Sequence, residues 1–226
     1  MVANTHPNIH ILLTGLPIRK IFFELPDYQS KIEFSEKSPC HILIIGGSQG
    51  AKVFSDLVPL AMSALPEKIR KSVVITQQVR KEQLSDLKKT YTKMSIRHFC
   101  ASFFSEIPKE MAKADIIISR AGAGSVAEIA ASGRAAILIP FPESLDDHQV
   151  YNARSITNEK AAILLMQKEI EDDPTILAKN LLSLIEKPQK CQKMANKVRR
   201  LAHRKALNNI IASIKSYQNL KNGGVK

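Results

Sequence analysis

The chain of 226 residues contains no tryptophan, and aromatic residues make up only 5% of it. Stacking platforms for single-stranded nucleic acid are therefore scarce, and no nucleic-acid partner is expected. Cysteine is nearly absent too. Cys40, Cys100 and Cys191 are odd in number, far apart and free of any C-x-x-C spacing. That excludes a disulfide framework or a cysteine-held zinc and points to a reducing cytoplasm. No apolar run approaches the roughly 18 residues of a membrane span, and the start carries no signal-peptide pattern. Acidic residues are missing from one whole region. From Lys187 onward there are 11 Lys/Arg and no Asp or Glu, so residues 1–186 hold 22 basic against 21 acidic groups. The net charge of +12 belongs to the tail. Such a tail is either a solvated face or a patch for an anionic surface.

What is present is a regular alternation. Apolar runs at 42–45, 73–75, 96–99, 116–118, 135–139 and 161–165 are separated by helical stretches near 51–65, 81–93, 105–113, 125–132 and 148–159. Six short apolar runs joined by helices predict a doubly wound α/β domain with a six-stranded parallel sheet. Further helices are predicted at 174–186 and 190–218. In the last, Met194, Val198 and Leu201 share one face. Leu207, Ile210, Ile211, Ile214 and Tyr217 share another, so the helix should break near 203–206, leaving the second face partly exposed. Residues 1–39 do not read as the start of a domain. A short strand at 9–13, a turn at 15–17 and a turn or two of helix at 18–25 precede a polar, linker-like stretch at 26–39. Three segments result: 1–39, a remnant and linker; 40–202, the α/β domain; and 203–226, a final helix with a basic tail.

Ligands of such sheets bind beyond the C-terminal strand ends, so chemistry belongs in the loops after each run. After the fourth run comes Ser119-Arg120 and then Ala121-Gly122-Ala123-Gly124-Ser125, opening a helix that closes at Gly133. Ser125 is a candidate N-cap. Backbone without bulky side chains at a helix start leaves N–H groups for an anion such as a phosphate. Glu128 lies one turn in, where a carboxylate can accept hydrogen bonds from a ligand or simply complement the helix dipole. Gly46-Gly47-Ser48-Gln49-Gly50-Ala51 follows the first run without the G-K-[ST] ending of a triphosphatase loop. Phe103 and Phe104 end the third run, as core residues or as a wall for a base. After the fifth run, Asp146-Asp147-His148-Gln149 leads into a helix. Either Asp can cap that helix, and His148 and Gln149 can hydrogen-bond sugar hydroxyls. Gly122-x-Gly124-x-x-Ala127 fits a dinucleotide fingerprint literally. It follows the fourth strand rather than the first, however, and the next strand ends in Pro140 rather than an acid. A nicotinamide or flavin is set aside, and no cofactor is expected. With no Asp-x-Asp beside the Gly122 loop, no metal is expected either.

Together these segments resemble a family. GGSQGA at 46–51, SRAGAGSVAE at 119–128 and PFPESLDDHQVYNA at 140–153 resemble the C-terminal half of the MurG family. Those are the bacterial peptidoglycan N-acetylglucosaminyltransferases that make lipid II from lipid I. TGLPIR at 14–19 resembles that family's interdomain segment, with Leu16 where the family commonly has Asn. The resemblance implies the donor half of a two-domain, GT-B-type inverting transferase, with a Rossmann-like fold. By position it implies that Phe104, with Phe103 beside it, contacts the uracil edge through its backbone and that Glu128 holds the ribose hydroxyls. Ala123, Gly124, Ser125, Ser48 and Arg19 would face the diphosphate, and His148 and Gln149 would read the N-acetylglucosamine. The implied partners are UDP-N-acetylglucosamine and lipid I, the latter through an N-terminal acceptor domain, at the cytoplasmic face of the inner membrane. No glycine-rich loop with a His precedes Ile9, so that domain is expected to be missing and the chain inactive alone. A non-catalytic UDP-sugar-binding module and a UDP-GlcNAc 2-epimerase-like enzyme are the alternatives.

Overall fold

The computed structural model describes residues 11–47 and 52–222. Six strands form one all-parallel sheet: β1 (Cys40–Ile45), β2 (Val73–Gln78), β3 (Arg97–Ala101), β4 (Ile116–Ser119), β5 (Ala135–Leu138) and β6 (Ile163–Leu164). Their order across the sheet is β3-β2-β1-β4-β5-β6. The order reverses between β1 and β4, and a crevice opens there beyond the strand ends. Each of the six apolar runs predicted from residue 42 onward becomes a strand.

Side-chain alternation along the strands builds two cores rather than one. Ile42, Ile44, Ile116, Ile118 and Ile137 face one cluster, whereas Leu43, Ile45, Ile117, Ala136 and Leu138 face the other. Helices α1 (Phe54–Ser63), α3 (Leu84–Lys93) and α8 (Thr175–Ile185) cover the first face. Helices α4 (Ile107–Lys113), α5 (Ala123–Ser132) and α6 (His148–Thr157) cover the second. With apolar cover on both sides, the strands can be continuously apolar, which is why they were legible as runs.

Two short helices add to the predicted set, α2 (Glu67–Lys71) and α7 (Gln167–Asp172). The long final helix is broken as expected, into α9 (Pro188–Arg200) and α10 (Ala206–Asn222). Met194 and Val198 of α9 are buried, while Leu207, Ile211, Ile214 and Tyr217 of α10 are exposed. Among the described residues no helix is long and apolar enough to cross a membrane.

The strand expected at 9–13 is not found where it can be judged. Residues 11–13 have no regular structure and are exposed, and 9–10 lie outside the described residues. Without a neighbouring strand to pair with, an apolar run cannot form a ladder. Residues 18–25 form only a single 3-10 turn, Lys20–Phe22, with Phe22 fully buried in the second core. The stretch 26–39 has the irregular backbone of a linker but is not loose. Tyr28 enters the first core, Arg199 pairs with Asp27, and Gln192 bonds the backbone of Tyr28 and Ser30.

Candidate functional site

The turn between β4 and α5 is assembled by long-range bonds. The side-chain oxygen of Gln149 accepts the N–H groups of Ala121 (3.1 Å) and Phe141 (3.0 Å), and the Asn152 amide donates to the Ala121 carbonyl (3.1 Å). Arg120, buried beneath, donates to the carbonyls of Ile139 (3.1 Å) and Pro140 (2.9 Å) and to Gln167 (2.7 Å). Its guanidinium also lies over the rings of Phe54 and Phe141. Burial lowers its pKa to about 10, so at neutral pH it is still a cation. Three of its N–H groups are committed to protein. It fixes two loops and α7 and leaves anion binding to others.

Helix α5 starts three residues earlier than the Ser125 capping expectation requires. Gly122 is the N-cap, and no side chain caps the helix. Because the first intrahelical bond runs from Val126 N–H to Gly122, the N–H groups of Ala123, Gly124 and Ser125 have no helix acceptor. A Cβ placed on Gly124 would meet nothing within 4 Å. The helix start is bare, open and positive.

Beside it lies a cavity of about 280 Å³, lined by Arg19, Gly47, Phe103, Phe104, Ser125 and Glu128 among others. Five residues singled out from separate loops thus meet at the switch point. Phe104 is 8% exposed and packs on Phe99, whereas Phe103 is 74% exposed at the rim. Glu128 is half-buried, and no hydrogen bond or ion pair reaches its carboxylate among the described residues. Burial raises its pKa, and the Arg19 cation opposes that rise. A desolvated acceptor without a donor is suited to ligand hydroxyls.

The other expected residues are placed differently. Ala123 turns to a neighbouring apolar cavity of about 430 Å³, between α5, α6 and the α9–α10 break, which Leu16 also lines. His148 is exposed at the start of α6, and the Gln149 oxygen is already used, leaving only its NH₂ for a ligand. Ser48 lies outside the described residues. Neither Asp146 nor Asp147 caps α6. Both adopt left-handed backbone (φ 46° and 54°), which turns the carboxylates away from the cap geometry, and Asp147 makes no side-chain cap bond. Among the described residues no group of three or more His, Cys, Asp or Glu could hold a metal ion.

Sequence reasoning missed Arg120 and Gln78. Arg120 finds its side-chain and carbonyl partners 19, 20 and 47 residues away, beyond any local spacing rule. Gln78 lines the Glu128 cavity from the end of β2. Its signal was a polar Gln77-Gln78 pair closing an apolar strand.

Comparison with known proteins follows the same lines. Residues 41–210 match the model of the glycosyltransferase family 28 C-terminal domain. The UDP-N-acetylglucosamine--N-acetylmuramyl-(pentapeptide) pyrophosphoryl-undecaprenol N-acetylglucosamine transferase of Paramagnetospirillum magneticum is 36% identical over 83% of this chain and 50% of its own. That of Bartonella quintana is 40% identical over 75% of this chain and 45% of its own. The crystal structure of Acinetobacter baumannii MurG superposes with a TM-score of 0.72 at 30% identity, covering 80% of this chain and 53% of that one. The chain spans about half the length of the curated relatives it matches. It belongs to the glycosyltransferase family 28 C-terminal domains, among relatives of the MurG type.

Proposed function

We propose that this α/β unit binds UDP-N-acetylglucosamine as the donor half of an N-acetylglucosaminyltransferase of peptidoglycan synthesis. The carrying observation is the single cavity that joins the bare α5 N-terminus and Ser125 to Glu128, Arg19, Phe103 and Phe104. The diphosphate would lie at the free N–H groups, where dipole and donors both favour an anion. The ribose hydroxyls would donate to Glu128. The base would enter beside Phe104, with Phe103 at the rim. His148, and the NH₂ of Gln149, would face the sugar.

In this reading, transfer needs a second unit. An acceptor hydroxyl and a base must be held against the anomeric carbon, and these are assigned to an acceptor-binding unit for lipid I, as the two-domain resemblance implies. The setting would be the cytoplasmic face of the inner membrane, where the basic residues from Lys187 onward favour anionic lipid.

Calorimetry of the purified chain with UDP, UDP-N-acetylglucosamine and ADP tests the donor assignment. Uridine nucleotides should bind in preference to ADP, and silence with UDP at millimolar concentration would overturn it. Incubation with lipid I and labelled donor tests the second part, with no transfer above background expected from this chain alone.

A further inference from the structure

The donor assignment leaves the second cavity beside α5, of about 430 Å³, without a task. The two cavities share no lining residue. Val126, Ala127 and Ala130 of α5 and Ile156 of α6 line this one on one side, and Ile18 and Phe23 on another. The α9–α10 break completes it. Two contacts brace these walls against each other. At Gly15 (φ 80°) the backbone passes so near the break that a Cβ would lie 2.5 Å from that of His203. Arg204, also in the break, donates to the Phe23 carbonyl (3.4 Å) and lies over the Phe23 ring. Protein interiors hold few voids larger than a water, because an apolar void costs stability in proportion to its volume. A braced space of this size falls instead in the range of ligand pockets, about 300–1,000 Å³.

We propose that this cavity binds one alkyl chain with an anionic head, a free fatty acid. The chain lies against α5 and α6, and the carboxylate sits at Arg200. Apolar walls rule out a sugar or nucleotide, whose hydroxyls would be buried without partners. A cavity walled by four stretches of one chain takes a slender ligand rather than a flat surface. Charge selects the head. Arg200 and His203 line the cavity and are exposed, so they stand where it meets solvent. Among the described residues no Asp or Glu lines it. A carboxylate held there gains a charge-assisted hydrogen bond from the guanidinium while its chain leaves water. The proposal does not depend on the donor assignment.

Calorimetry of the full chain with straight-chain fatty acids from hexanoate to tetradecanoate, each below its micelle concentration, tests this. Affinity should rise roughly 4-fold per added methylene and level off once the cavity is full. Ala127→Leu puts three more carbons into the space. It should weaken decanoate roughly 50-fold, as three displaced methylenes would, with the melting temperature unchanged or higher. Arg200→Gln should weaken decanoate roughly 5-fold, as for an exposed ion pair, and leave decanol binding unchanged. Both variants should keep the wild-type affinity for UDP. The proposal is overturned if wild type does not bind decanoate, or if Ala127→Leu binds it as wild type does. An affinity that climbs with chain length without levelling off also overturns it, because that is adsorption to the surface. Equal losses of decanol and decanoate in Arg200→Gln would remove the anionic head and overturn it as stated. Binding of UDP without decanoate ends this proposal alone; decanoate without UDP supports it while the donor assignment falls.

Discussion

Two carboxylates at opposite ends of the sheet have opposite surroundings. Asp115, just before β4, is 4% exposed and fully occupied. It accepts from the Tyr28 hydroxyl (3.1 Å), the Lys31 ammonium (3.0 Å) and the His41 N–H (2.8 Å). Glu128, beyond the C-terminal strand ends, is half-buried and receives no such bond among the described residues. The first carboxylate holds residues 28–41 to the sheet. The second is desolvated with nothing to show for it in the free chain. Removing the first should therefore cost stability, whereas removing the second should matter to the proposed donor binding.

Mutation can break this contrast. Asp115→Ala leaves a hydroxyl, an ammonium and an N–H without their acceptor. It should destabilise by about 3 kcal/mol, the low end for a broken buried pair because Lys31 is partly exposed. That corresponds to a melting temperature lower by roughly 6–12 °C for a chain of this size. Nucleotide affinity of the folded fraction should not change. Glu128→Ala should do the reverse, weakening UDP binding roughly 10- to 100-fold, as for hydrogen bonds to a charged group of about 1.5–3 kcal/mol, with the melting point little altered. A loss of stability in Glu128→Ala comparable to that of Asp115→Ala would erase the distinction.

A pH series sharpens the comparison further. Burial raises the Glu128 pKa above 4.5, so the apo folded state holds this proton more tightly than the unfolded chain does. Its contribution to stability is present below the unfolded pKa and lost as pH rises through the folded one. Ligand hydroxyls favour the ionised form, so UDP affinity should fall as pH drops through that raised pKa, and Glu128→Gln should flatten the profile. The smallest effect expected is none. Chelator should leave UDP affinity unchanged, since the free N–H groups of α5 supply the positive end. A collapse of binding in chelator would refute that assignment.

Much of the fold was legible because both faces of the sheet are covered, making each strand an apolar run with helix between. The break before α10 was legible too, because an apolar stripe that changes sides cannot follow one straight helix. Helix α2 was not, since it buries none of its five residues and so leaves no apolar period. In the site, the loops were found from the rule about strand ends, and Glu128, Ser125, Arg19, Phe103 and Phe104 do meet in one cavity. The expected N-cap failed because Gly122 can start the helix with no side chain at all. The expected Asp caps failed because two consecutive left-handed residues reorient the chain before α6. Gln149 was seen as a ligand group, whereas its oxygen first serves to join Ala121 to Phe141.

Helix α5 has a second end. Its ten residues make a rod about 15 Å long, and at Gly133 (φ 61°) the backbone passes so close to Arg199 that a Cβ there would lie 2.9 Å from the arginine's Cδ. Arg199 donates to the carbonyls of Ala131 and Ser132 at the rod's end and to those of Phe23 and Leu25. Arg134 repeats the pattern, joining Ser132 and Gly133 to Pro26. The rod and residues 23–26 are thus clamped by two guanidiniums, while its other tip faces the cavity. One rod thus runs from the cavity wall at its N-terminal end to residues 23–26 at its C-terminal end, and fixes the place of each relative to the other.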